Sequence, residues 1–328
     1  MADDLAGWAR KRAPELLARA EAEAVAALRD ALVDAAIARR ATEAKPKPRP
    51  QAPPARVEGP AGEGIWAYCV SQAGEPVPEG AAGVDGGALK QVEAGGLAAL
   101  VSPVPLAEFG AGPLRDNLND LAWLERVARE HETVLEGALS ESTIVPLRLC
   151  TIYTSEDSVR DMLEQEHDSL ARAIEVLAGR QEWGVKLLAD DERLAEEARS
   201  RSAETAALED ELSARTGGGA YMLRRRLERH IRDAVDALGT ELAEQVHAQL
   251  QDWASDAVVL APQNPELSGH EGRMLLNGAY LVEAKRVDGL RELVAELEER
   301  HSALGVSIQL TGPWPPYNFV PGGATPLA

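Results

Sequence analysis

The sequence predicts an α+β protein of two domains with mixed, largely antiparallel sheets, joined by a long helical hairpin and preceded by an N-terminal helical extension. Three observations carry this. Strand-like and helix-like runs follow one another as β–β–α–β at each end of the compact part. Two helical runs between those ends are parted by Gly217-Gly218-Gly219, a break that lets them fold back on each other. A proline-rich stretch over 45–60 sets a first helix apart from the rest. The expected domains are 1–60 (amphipathic helix and linker), 61–190 (first α+β domain) and 191–328 (hairpin and second α+β domain). The strand and helix order makes them ferredoxin-like in part. A length of 328 residues suits such a division.

The elements read as follows. Leu5, Trp8, Leu17, Val25, Leu28, Leu32 and Ile37 keep one face of a helix over 1–40 apolar, with Pro14 in the first turn of its main part. KPKPRPQAPPARVEGP, residues 45–60, is an extended linker, basic through Lys45, Lys47, Arg49 and Arg56. Residues 1–60 are therefore expected to be removable without unfolding the remainder. GIWAYCV from Gly64 is a strand, and Gln72–Gly87 a loop. LAALVSPV from Leu97 is a second strand. Asn117 or Asn119 caps a helix carrying Leu121, Leu124, Val127, Val134 and Leu135. TIVPLRLCTIY from Thr143 is a third strand whose Pro146 places it at an edge or a bulge.

A helix then starts at Ser155, with Glu156 and Asp157 favourable at its positive end, and runs to about Ala178. EWGVKLLA from Glu182 is the fourth strand of the first domain, with helices expected on one face of the sheet. Residues 190–214 are a charged helix. After the glycines comes a longer one, with Leu223, Leu227, Ile231, Val235, Leu238, Leu242, Val246, Leu250 and Trp253 in one stripe. DAVVLAP and MLLNGAYLVEA are strands, Val287–His301 a helix, and GVSIQLTGPW the closing strand. The repeated β–β–α–β order leaves internal duplication open.

Composition narrows the function. The formal net charge is −20 and the isoelectric point about 4.8. Such a chain repels phosphate backbones, so nucleic acid is not an expected partner. No run reaches the roughly 18 apolar residues of a membrane span, and the N-terminus lacks the apolar core of a signal peptide. Cys69 and Cys150 sit apart in strand-like runs and read as small core residues of a protein in a reducing cytoplasm. The six histidines form no i, i+3 or i, i+4 pair, so no metal is expected. No phosphate-binding loop of the G-x-x-x-x-G-K-[ST] type and no nucleophile elbow occurs, and no cofactor is expected. The glycine triplet lacks the lysine and hydroxyl of a nucleotide site.

Two features remain. Arg224, Arg225 and Arg226, followed by Arg229 and Arg232, form the densest positive patch. They either pair with the acidic helix before them or anchor an acidic protein surface. Trp314, Tyr317 and Phe319 stand among three prolines in LTGPWPPYNF. Rigid aromatics on such a run either lock the last strand, the reading that chemistry favours, or anchor a partner. The candidate partner-binding residues are thus Arg224, Arg225, Arg226, Trp314, Tyr317 and Phe319.

LTGPWPPYNF at the end of a β–α–β unit resembles the closing signature of the gas vesicle protein L and F family. GIWAYCV, NDLAWLERVAREHETVLE with TIVPLRLCTIY, EWGVK, GGGAYMLRRR and NGAYLV with VDGLRELVAEL resemble further parts of it, in order, from Gly64 to Phe319. The helix and linker of 1–60 have no counterpart in that resemblance. It implies a two-domain α+β accessory protein of gas vesicle formation without catalytic activity. Its implied partners are the main shell protein and other accessory proteins, in the cytoplasm and at the gas vesicle. In this picture strand edges and the apolar helical stripe cover a self-assembling subunit and limit its aggregation. The alternative from another class is a small-molecule-binding or regulatory α+β module, which would need a pocket with convergent polar groups. A hydrolase would need a nucleophile–base pair, and none is legible.

Overall fold

The computed structural model describes residues 62–78, 80–215, 218–260 and 272–320. The expected N-terminal helix and linker lie outside the described residues. The first sheet is built around β1 (Glu63–Gln72), whose inner residues are all buried. A strand without a polar face needs cover on both sides. β1 receives it. Trp66, Tyr68 and Leu100 pack with Val127, Val134 and Leu135 of one helix, α3 (Leu121–Glu141). Ile65, Ala67, Val70 and Val101 pack on the other side with residues of α4 (Glu156–Gln165) and α5 (His167–Leu177). Helices therefore cover both faces, where the sequence suggests one. A register shift between Ala67 and Cys69 makes Tyr68 the extra residue of a bulge. That shift turns Cys69 to the same side as Trp66 and Tyr68.

The neighbours of β1 complete the layer. β2 (Lys90–Ala94) and β3 (Leu97–Pro105) form a hairpin. Its two turn residues, Gly95 and Gly96, have φ of 60° and 86°, the left-handed pair that a tight hairpin requires. β2 lies in a stretch the sequence pattern leaves unassigned. The expected third strand is two short pieces, β4 (Val145–Pro146) and β5 (Ile152–Tyr153), both beside β1. Cys150, at φ 65°, lies between them. Two short helices, α1 (Leu106–Phe109) and α2 (Ala111–Asn117), lead into α3. Asp120, not Asn117 or Asn119, caps α3, accepting from Ala122 N at 3.0 Å and Trp123 N at 3.3 Å. The side chains of both asparagines bond to carbonyls elsewhere, those of Glu108 and Arg115.

β6 (Arg180–Ala189) pairs with β8 (Arg273–Glu283) and β9 (Val306–Trp314), and β7 (Asp256–Val259) pairs with β8. EWGVKLLA thus opens the second sheet instead of closing the first. The sheets divide between Leu177 and Arg180 rather than near Asp190. Periodicity identifies a strand but not its partners, which are set by pairing far along the chain. The helical hairpin is accordingly a connection inside the second sheet. It comprises α6 (Asp191–Arg201), α7 (Ala203–Ser213) and α8 (Gly218–Trp253). Ser202 splits the first arm by capping α7, its hydroxyl accepting from Thr205 N at 3.1 Å.

All strand pairings among the described residues are antiparallel. Numbering each sheet's strands along the chain, both sheets have the order 2-3-1-4, with β5 an extra strand beside β1. The second sheet has both crossover helices of the ferredoxin-like pattern. The first has a loop with one 3-10 turn in place of the first crossover. One face of the second sheet is covered by α6, α8 and α9 (Val287–His301). Leu187 lies fully buried at the centre of that core. Leu187→Ala should lower the unfolding free energy by about 2–5 kcal/mol, measured as a lower urea midpoint at an unchanged slope.

Candidate functional site

The closing run joins the two sheets. Trp314 stands opposite Glu182 in the β6–β9 ladder, and its indole donates to Thr311 Oγ1 at 3.1 Å. Gly312, at φ 133°, brings the backbone so close to the Glu182 carbonyl that a Cβ would lie 3.0 Å from it. Only glycine suits both conditions. Beyond Trp314 the chain leaves the second sheet. Asn318 donates from its backbone N (3.1 Å) and its side-chain amide (2.6 Å) to the carboxylate of Glu182, which is only 4% exposed. Phe319 and Val320 then pack into the first sheet's core, together with Leu281 from β8.

Tyr317 reaches furthest. It packs in the core under α3, and its hydroxyl lies 3.3 Å from His131 Nε2 and donates to Glu132 at 3.2 Å. His131 is fully buried and accepts the Trp66 indole N–H at Nδ1, at 3.0 Å. An indole can only donate. Nδ1 is therefore the acceptor, and Nε2 carries the proton toward Tyr317. The Tyr68 ring stacks on the imidazole at 5.3 Å between centroids. Tyr317 and Phe319, read from the sequence as a lock on the last strand or an anchor for a partner, thus meet the first domain's cores. The run acts geometrically as a clasp.

The arginine patch has a different setting. α8 has 36 residues, about 54 Å at 1.5 Å per residue. Its later turns pack on the second sheet through Val235, Leu238, Leu242, Val246 and Leu250. Its first turns rest only on a small separate core of Leu208, Leu223 and Leu227. The start of α8 and α7 therefore form an arm. Arg224, Arg225, Arg226, Arg229 and Arg232 are all exposed on it. Arg226 meets Glu204 at 3.3 Å. Arg224, Arg225, Arg229 and Arg232 have no ion-pair partner among the described residues. Beside them Tyr221 and Met222 are 60% and 69% exposed. Arg224 lies six residues past the start of α8, beyond the first turn where the helix dipole acts. Arg225 and Arg229 add a like-charge i, i+4 pair costing roughly 0.2–0.5 kcal/mol.

Little points to chemistry. Burial pushes the thiols of Cys69 and Cys150 up to about 12, so neither is a nucleophile near neutral pH. Among the described residues no group of three or more His, Cys, Asp or Glu gathers to hold a metal ion. No helix among them is long and apolar enough to cross a membrane.

Comparison with known proteins decides the family. Residues 64–321 match the family model for "Gas vesicle synthesis protein GvpL/GvpF". The chain belongs to this family. It is 38% identical over 256 residues to gas vesicle protein L of a Streptomyces species, covering 77% of this chain and 91% of the relative. To gas vesicle protein L1 of Halobacterium salinarum it is 24% identical, over 85% of this chain and 98% of the relative. The crystal structure of GvpF from Anabaena sp. PCC7120 has the same fold. It superposes with a TM-score of 0.62 at 19% identity, over 79% of this chain and 98% of that one. GvpF from Microcystis aeruginosa gives 0.56 at 18% identity, over 78% and 98%. The GvpL/GvpF match spans both sheets, the arm and the clasp. It supports a role in gas vesicle assembly.

The sequence singled out the clasp aromatics but not Glu182, Asn318 or His131, which give them their partners. A buried carboxylate in a strand was the available signal. Asn318→Ala removes a charged hydrogen bond and should cost about 1.5–3 kcal/mol, read from chemical denaturation. Under native conditions Cys69 and Cys150 should resist iodoacetamide and become reactive only in denaturant, as mass spectrometry of the labelled chain would show.

Proposed function

We propose that this chain is a non-enzymatic accessory protein that binds the main gas vesicle shell protein and/or other accessory proteins. It limits aggregation during nucleation, in the cytoplasm and in association with the vesicle. The observation that carries this reading is the family match over residues 64–321. The net charge of −20 supports it, because a strongly charged partner keeps an apolar subunit in solution.

The means differ from those the sequence suggested. The apolar stripe of α8 is spent on the chain's own cores. Among the described residues two surfaces carry neighbouring exposed large apolar side chains suited to protein contact. One is the corner between α2 and α3, where Leu118 and Leu121 are exposed. The other is the arm with Tyr221, Met222, Arg224, Arg225 and Arg226. In this reading Trp314, Tyr317 and Phe319 serve binding indirectly, by fixing the two sheets relative to each other.

Light scattering of shell protein diluted from denaturant tests the proposal. Scattering should rise more slowly with this chain present than with an equally acidic control protein. Apolar contact should also persist at moderate salt. An unchanged rise, with no shell protein recovered in a pull-down, would remove the shell protein as partner.

A further inference from the structure

The outer face of α8 carries charges of both signs in a fixed order. Tyr221, Arg225 and Arg229 succeed one another at four-residue spacing, with Met222 and Arg232 beside them. Further along the same face come Asp233, Asp236, Ala237 and Thr240, all exposed. The face is therefore positive toward the start of α8 and negative toward its middle. Asp236 meets Arg273 at 2.6 Å. Neither Arg229 nor Asp233 has an ion-pair partner among the described residues, although they are one turn apart.

We propose that this face binds a second copy of the chain, the two α8 helices lying antiparallel about a two-fold axis near Arg229–Asp233. Such an axis sets Arg229 of one copy against Asp233 of the other, and the reverse. It sets Arg225 and Arg226 near the other copy's Asp236. Met222 falls on Thr240, whose short side chain leaves room for it, and Tyr221 beside it on the stem of Glu241. Every contact occurs twice, as an isologous interface requires. Tyrosine, methionine and arginine are also the residues that interfaces concentrate. The arrangement gives a reason for a cluster of exposed arginines of which only Arg226 meets a carboxylate on its own chain: the other counter-charges come from the partner. The inference goes beyond the reading above and assumes nothing about the shell protein.

Salt dependence has two parts. Two chains of net charge −20 repel at long range. At about 0.15 M salt the screening length is about 8 Å, which suppresses that repulsion but not contacts at hydrogen-bond distance. At about 1 M it is about 3 Å, and the contacts weaken too. Association should therefore be strongest at intermediate salt.

Sedimentation velocity of the full chain tests this. At intermediate salt the average mass should rise with concentration from one chain toward two, and fall back at high salt. Arg229→Glu and Asp233→Arg each place like charges together and should each weaken association tenfold or more, with unchanged melting. Mixing the two variants in equal amounts restores both pairs and should restore the dimer. A wild type that stays a single chain at every concentration overturns the proposal. So does a dimer indifferent to either substitution, or a mixture that fails to reassociate. A single chain whose sedimentation shifts on adding polyglutamate overturns it too, and gives the face to an acidic partner.

Discussion

The structure turns on a carboxylate taken out of water. Glu182 is the third residue of the first strand of the second sheet, and its side chain is buried. A buried carboxylate is tolerable only when donors meet it. Asn318 supplies two, but it can do so only if the chain doubles back after β9. That return carries Tyr317 under α3 and Phe319 into the other core of the first sheet. Local charge satisfaction thus fixes how the two sheets are joined. The His131 site extends the constraint. Trp66 determines which nitrogen is protonated, and that nitrogen faces the returning tyrosine.

Element types were largely legible from the sequence, and element partners were not. GIWAYCV declares a buried strand through its unbroken apolar run, and the α8 stripe declares a long helix. The short strand Lys90–Ala94 escapes the sequence pattern because Lys90, Gln91 and Glu93 are polar, although Gly95-Gly96 beside it is a hairpin signal. EWGVKLLA reads locally as the last strand of the first sheet and belongs to the second. Its place depends on pairing with residues about ninety and more than a hundred positions away, and no local pattern encodes that. The same gap hid the clasp. Three aromatics among prolines announce a rigid segment, but not that it lies across two cores.

The arm is legible as a composition, while its context leaves two readings open. An acidic helix directly before five arginines suggests internal neutralisation. Helix geometry grants that to Arg226 alone, through Glu204. The rest of α8 obeys the ordinary rules, with its apolar stripe under its own sheet and polar residues outward. Departures from local rules tend to gather where a surface has work to do. Membership of the GvpL/GvpF family puts that surface in the setting of an assembly process.

The shared strand order has a consequence at the borders of the sheets. Each sheet ends in brief strands: β2 has five residues, β4 and β5 two each, and β7 four. The remaining border, β9, is longer, but it ends in Gly-Pro-Trp, and the Glu298 carboxylate accepts its Ile308 N–H at 3.3 Å. Short, proline-ended or side-chain-occupied borders are poor templates for strand addition. Strands of other chains therefore find few places on either sheet where they could extend it.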